Sequence, residues 1–189
     1  MLTPTTELEA INSMLSAIGE SPVSTVEDTG VVDAVMAKQT LDSVSRQVQS
    51  RGWHFNTEPG VELIPTFPAK ELLVPSTTLK VDPEDTTHNL VQRGRKLYDL
   101  KNRTYKFDNP VTVTMIVLLP FDELIEQARA YIATRASRLF QENVVGSELL
   151  DTFYYRNEVQ VKAGLEDVEA ENADYNVFNN PSIARVLYR

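Results

Sequence analysis

Apolar residues recur at steps of three and four along four stretches of the chain. Leu8, Ile11, Met14, Leu15 and Ile18 form the first stripe, and Val32, Val35, Leu41, Val44 and Val48 the second. A 3.6-residue period places each set on one side of a helix, so helices are predicted over about residues 7–18 and 31–51. Thr5 or Thr6 can cap the first, and Gly19 suits the left-handed position that closes it. Ser21-Pro22 then turns the chain, and Gly52 stops the second helix. Further on, Leu124, Ile125, Ala128, Ile132 and Leu139 make a third stripe, flanked by Arg129, Arg135 and Arg138. Pro120 suits a helix start, and Asp122 and Glu123 the positive end of its dipole, which predicts a helix over about 121–143. Gly146-Ser147 interrupts the pattern. Ser147 can cap a fourth helix over about 148–172, in which Gly164 is a potential bend.

Between the second and third helices the period changes. Six of the ten prolines fall in residues 53–119, where a helix would not tolerate them. Short β-rich runs at 71–74, 77–81, 96–100 and 111–119 alternate with Pro, Asp and Asn turns. The expectation is an α+β fold: a four-helix body in two antiparallel pairs, with an inserted small antiparallel β subdomain. The boundaries fall at 1–52 for the N-terminal helical pair, 53–119 for the β-rich insert and 120–172 for the C-terminal helical pair. Residues 173–189 read as an extended C-terminal arm, since Asn179-Asn180-Pro181 blocks a helix. Spaced anchors there (Tyr175, Phe178, Ile183, Arg185, Leu187, Tyr188 and Arg189) suit groove binding on a partner or on the chain itself. Trp53 and Phe55, just past the second helix, are expected to fasten the insert to the helical body.

Charge refines this picture. The net charge of −9 disfavours binding of the whole chain to nucleic acid. Yet six bases (Arg93, Arg95, Lys96, Lys101, Arg103, Lys106) stand against Asp99 alone in one segment. Seven acids (Glu148, Asp151, Glu158, Glu166, Asp167, Glu169, Glu171) stand against Arg156 and Lys162 in another. Each run is a solvated face in a monomer. In a ring, Arg93, Arg95 and Lys96 of one copy can meet Glu166, Asp167 and Glu169 of the next, which sets register more than affinity. Tyr98 and Tyr105 interleave with the bases, as on a single-strand-binding surface, although they also read simply as sheet residues. The Arg129, Arg135 and Arg138 row reads either as a partner surface or as intrahelical pairing with Glu126 or Glu142.

Little in the chain points to catalysis. It has no cysteine, hence no disulfide, thiolate metal site or cysteine nucleophile. His54, between Trp53 and Phe55, reads as a core residue and His88 as an exposed one. Glu58 and Glu62 could form a carboxylate pair of the glycosidase kind, but no motif of a hydrolase, nucleotide or metal site accompanies them. No metal or cofactor is expected. No apolar run reaches the ~20 residues that span a bilayer, and the start lacks the features of a signal peptide. The chain reads as soluble and made in a cytoplasm, not as an enzyme.

Three segments carry a resemblance. LPFDEL followed by ARAYIATRASRLFQ, the opening LEAINSMLSAIGESPVSTVE with AKQTLDSVSRQVQSRGWHFNTE, and LYDLKNRTYKF between them are similar, in order, to the tail tubular protein A family of short-tailed bacteriophages. The resemblance covers about residues 7 to 141. It implies a structural virion protein assembled in the bacterial host cytoplasm. Such a protein is a head–tail adaptor of about twelve copies in a closed ring, joining the portal protein to the tail nozzle protein and supporting tail fibres. Double-stranded DNA would pass through the lumen on ejection. Some family members have been suggested to act on polysaccharide, so a hydrolase is the alternative; no constellation here explains it.

Overall fold

The computed structural model describes residues 4–26, 31–85 and 87–177, with side chains described as far as residue 172. It is an α+β protein with four helices and two small antiparallel sheets: α1 Glu7–Ala17, α2 Val32–Gln49, β1 Thr57–Leu63, β2 Thr78–Pro83, β3 Leu90–Arg93, β4 Lys96–Asp99, β5 Val111–Val117, α3 Glu126–Val144 and α4 Glu148–Val177. It divides into a helical unit (1–48 and 120–189) and a strand unit (49–119).

In the helical unit, Thr6 caps α1 in a reciprocal capping box with Glu9. Gly19 follows in the left-handed conformation, φ +84°. Helix α3 is central, packing along α4 and against α1. It runs beside α1 from the same end, since Thr5 donates to Glu126 through its backbone N–H (2.9 Å) and its hydroxyl (2.7 Å). Gly146, at φ +66°, turns the chain into α4, which returns antiparallel along α3. Ile11, Met14, Leu15, Ala34, Leu41, Val44, Leu124, Ala128, Ile132, Phe140 and Leu165 are buried here.

Two boundaries of the helical unit differ from expectation. The third helix begins at Glu126, not Phe121. Phe121–Glu123 is a separate 3-10 turn after Pro120, and Leu124 and Ile125 are extended. Phe121 and Leu124 are both buried in this turn. Asp122 consequently serves α1, accepting from the backbone N–H of Glu7 (3.3 Å). Helix α4 passes through Gly164 and ends at Val177, so an extended arm cannot start at Ala173. Tyr175 is helical. Phe178, Ile183, Arg185, Leu187, Tyr188 and Arg189 lie outside the described residues.

In the strand unit, β5 is the middle strand of a sheet ordered β1-β5-β2, and β3 pairs with β4 as a hairpin. Inward positions of β5 join Leu63, Leu72, Val74, Val81, Leu97 and Phe107 in a separate core. Strand β1 was not expected, because Pro59 and Gly60 interrupt it. At a sheet edge Pro is tolerated, and a bulge between Glu58 and Val61, with Gly60 at φ +72°, absorbs the irregularity. The expected strand at 71–74 makes only isolated bridges, from Glu71 to Lys106 and from Leu73 to Lys96.

The two ends of the strand unit meet. Thr57, at the start of β1, pairs with Ile116 near the end of β5. Gln49 closes the neck: its side chain donates to the Leu119 carbonyl (3.0 Å) and accepts from the Leu119 N–H (2.8 Å). Asn56 completes the clasp. It donates to the carbonyls of Gln49 (2.9 Å) and Val117 (2.8 Å) and accepts from the Trp53 N–H (2.9 Å). Both side chains are almost wholly buried, so every one of these bonds replaces solvation that the groups have lost. Trp53 is buried and stacks on Phe55 at 6.5 Å between ring centroids.

Candidate interaction surfaces

The arginine row of α3 is occupied within the chain. Arg129 donates to the carbonyls of Leu124 (2.8 Å), Thr5 (2.9 Å) and Asp122, tying the chain start to the turn before α3. Arg135 and Arg138 reach across to α4 instead of pairing along α3 with Glu126 or Glu142. Both contact Glu158, at 2.8 and 2.7 Å. Arg138 also meets Asp151 (3.3 Å) and lies 5.3 Å from the Tyr155 ring centroid. Burial works against the charge on Arg135, but the hydrogen bond and charge of Glu158, with Tyr131, outweigh it and raise its pKa above the ordinary value. Glu158 is buried, so the cluster is a polar core for the α3–α4 hairpin. Its spacing in sequence gave no hint of the partner.

The basic run of the strand unit faces outward. Along β4, Leu97 and Asp99 are buried while Lys96 and Tyr98 alternate to the other face, opposite Arg93 and Val91 of β3. The Arg93 guanidinium lies 3.9 Å from the Tyr98 ring centroid, and Tyr98 and Tyr105 are 4.7 Å apart. Arg93, Arg95, Lys96, Arg103 and Lys106 are exposed. Glu71 neutralises Lys96 (2.8 Å), and Arg95 donates to the Val74 carbonyl (3.3 Å). On α4, Glu166 and Asp167 are exposed and Glu169 partly so, with Lys162 paired to Glu166 at 3.1 Å.

Below the basic face lies a carboxylate that the sequence marked only as an exception. Asp99 is 1% exposed. It accepts from the backbone N–H groups of Lys101 (2.8 Å) and Asn102 (3.2 Å), from the Asn102 side chain (2.8 Å), and contacts His88 Nδ1 at 3.2 Å. Burial alone would raise its pKa. The hydrogen bonds from His88, Asn102 and Lys101 together win, and hold it at about 2. The histidines therefore exchange their expected places: His54 is exposed, whereas His88 is partly buried against Asp99 and edge-on to Phe107. The bulge in β1 sets Glu58 opposite Met115 and Glu62 opposite Thr112, positions of opposite parity on β5. The register thus assigns the two carboxylates to opposite faces of the sheet.

Apolar groups also reach the surface. Phe67 is 98% exposed and Ile64 69%, both on the loop after β1. In the helical unit, Val32, Val35 and Met36 are exposed along the start of α2, and Leu149 and Phe153 along α4. A groove of about 370 Å³ between α2 and α3 is lined by Met36, Gln39, Thr40, Ser43, Val44, Gln47, Leu139, Phe140 and Asn143. A wider one of about 820 Å³ lies among α1, α3 and α4, with small polar walls such as Asn12, Ser13, Ser16, Thr134 and Ser137. Among the described residues no group of three metal-ligating side chains converges, and no helix is long and apolar enough to cross a membrane.

The helices are stapled by internal ion pairs, and charged and apolar faces are turned outward. The comparisons with known proteins identify the family. The profile of the family described as tail tubular protein matches residues 8–175. The chain is 31% identical over 142 residues to "Tail tubular protein A" of Klebsiella phage KP34, an alignment that covers 75% of each. The chain belongs to the tail tubular protein family, and is accordingly a structural component of a bacteriophage tail.

Proposed function

We propose that the chain is the adaptor of the tail: a closed ring, of about twelve copies by family resemblance, between the portal and the tubular nozzle, with tail fibres attached at the junction and DNA passing through the lumen. The observation that carries the reading is the separation of charge between the units. The strand unit turns Arg93, Arg95 and Lys96 outward, whereas the last turns of α4 present Glu166, Asp167 and Glu169. Complementary faces on different parts of one chain favour head-to-tail contacts, which close into rings when the rotation fits. They also set register and speed encounter. A surplus of acid suits a wall past which DNA slides without sticking. Residues 178–189, with their spaced anchors, are the segment offered to the portal or an adjacent copy.

The test is mass by light scattering for the purified chain, alone and mixed with its portal assembly, beside a version ending at Val177 that keeps α4 whole. A ring, or recruitment of about twelve copies, supports the adaptor. A monomer that ignores the portal refutes it. Loss of recruitment in the shortened version alone assigns portal contact to residues 178–189.

A further inference from the structure

We propose that Phe67 is the anchor by which one copy of the chain docks on another, its ring seated in the groove between α2 and α3 of the neighbour. This rests on the ring reading above and adds the contact that holds the ring together. A phenylalanine that is 98% exposed, beside an isoleucine at 69%, is not explained by the fold of its own unit. The loop carrying it is also held rigid. Thr66 donates to the Glu71 carbonyl through its N–H (2.9 Å) and its hydroxyl (3.0 Å), the Glu71 N–H returns a bond to that hydroxyl (3.1 Å), and the Phe107 N–H binds the Lys70 carbonyl (2.8 Å). Lys70 closes the turn at φ +57°. An aromatic group fixed in place loses little freedom on binding, and such residues dominate interface energies.

The groove fits that ring in size and chemistry. Its volume of about 370 Å³ lies at the small end of the ~300–1,000 Å³ of pockets that hold organic groups. Val44 and Phe140, both 1% exposed, form its floor. Met36, 42% exposed at the rim, can adapt its shape to an incoming ring. None of its lining side chains is charged, so seating an aromatic ring strands no ion. An exposed phenylalanine supplies about 200 Å² of the ~800 Å² per partner that a stable interface needs. Phe67 is therefore the centre of a larger contact, to which Ile64 and the charged faces contribute the remainder. Knob and groove are different surfaces of the chain, so the contact can run head-to-tail around a ring.

The test uses full-length protein, whose lack of cysteine gives a clean background for cross-linking. Wild type and Phe67→Asp are compared by sedimentation over a concentration series; the substitution sits on an exposed loop tip and leaves both cores untouched. Separately, Ala69→Cys beside the knob and Gln39→Cys at the groove rim are mixed and oxidised. The expected result is at least a tenfold rise in the concentration needed for assembly in Phe67→Asp. A disulfide-linked dimer should form in the mixture far above either variant alone, and disappear when Ala69→Cys also carries Phe67→Asp. Assembly of Phe67→Asp as readily as wild type overturns the anchor and leaves the ring standing. Cross-linking of Ala69→Cys to itself, and not to Gln39→Cys, replaces the groove with a knob-to-knob contact and overturns the proposal. If wild type assembles neither alone nor with the portal, and Ala69→Cys does not cross-link to Gln39→Cys, the ring reading and the anchor fall together.

Discussion

Gly52, between α2 and β1, offers a substitution whose effect can be worked from two separate terms. Its φ is +77°, and a Cβ built there would lie 2.6 Å from Cδ1 of Ile116 and 3.2 Å from its Cγ1. An L-residue in the left-handed region costs about 1–2 kcal/mol. Carbon atoms pack at ~3.5–4.0 Å, so the 2.6 Å approach forces Ile116 aside in a packed region, for about 1–3 kcal/mol more. Reduced freedom of the unfolded chain returns about 0.4–1 kcal/mol. Gly52→Ala should therefore destabilise the strand unit by about 1–5 kcal/mol, near 3 at the mid-values of these terms. The chain has one tryptophan, Trp53, buried at the adjacent position, and its fluorescence through a urea titration is the natural assay. With a urea slope of ~1–3 kcal/mol per molar, the midpoint should fall by about 1 M or more. Ile116→Val removes Cδ1 and by itself costs about 0.5–1.5 kcal/mol. In the double variant the clash is largely gone, so the loss should be smaller than the sum by about 1 kcal/mol. Strict additivity would refute the steric term, and a neutral Gly52→Ala would refute the conformational one as well.

Three further outcomes are expected. Glu158→Ala leaves Arg135 and Arg138 without their shared carboxylate; it should lower stability by about 2–4 kcal/mol, a discount from the fully buried case because both arginines keep some solvent, while Glu166→Ala at the exposed i,i+4 pair should change it by under ~0.5 kcal/mol. Thermal unfolding of the two proteins ranks them, and equal losses would contradict a buried cluster. The Asp99 carboxyl, held at about 2 against an ordinary 3.8, adds stability that is complete above about pH 4 and is lost as pH falls through 2. Urea midpoints measured between pH 5 and 2 should fall less steeply in Asp99→Asn than in wild type, and parallel curves would refute the assignment. Asn56→Ala leaves the buried Gln49 and Val117 carbonyls and the Trp53 N–H without this partner, so a loss of about 2–4 kcal/mol is expected; a change under ~0.5 kcal/mol in urea unfolding followed by Trp53 would mean the neck does not depend on the clasp.

Local signals were readable wherever they acted locally. The stripe of α1 and the second half of that of α2 (Leu41, Val44, Val48) are buried where the periodicity places them, and the glycine stops hold, because burial of one face and a left-handed closing residue are decided within a few residues. At the start of α2 the expected Val32 and Val35 are exposed, and Ala34 and Ala37 are buried instead. Edge strand β1 was hidden because Pro59 and Gly60 speak against a strand, and only its place at the sheet margin makes them harmless. The arginines of α3 were visible as a row, but their partners were not. Glu158 lies 23 residues from Arg135, and the pairing exists only once the hairpin has closed. Gln49 and Asn56 look like ordinary surface amides in sequence. The one available signal was that Gln49 follows Leu41, Ser45 and Val48 on the buried side of α2. Phe67 carried no signal at all, since one aromatic in a proline-rich loop is equally consistent with a core anchor until its exposure is known.

The strand unit leaves and rejoins the chain at one place, with β1 and β5 paired at that end and two amides bolting the junction. A module attached through a single joint is exchangeable. Its loops can lengthen, or the whole sheet be replaced by another of similar neck, while the residues of the neck stay the same. In a tail protein, such a joint is a place where one half of the chain can diverge as the other stays put.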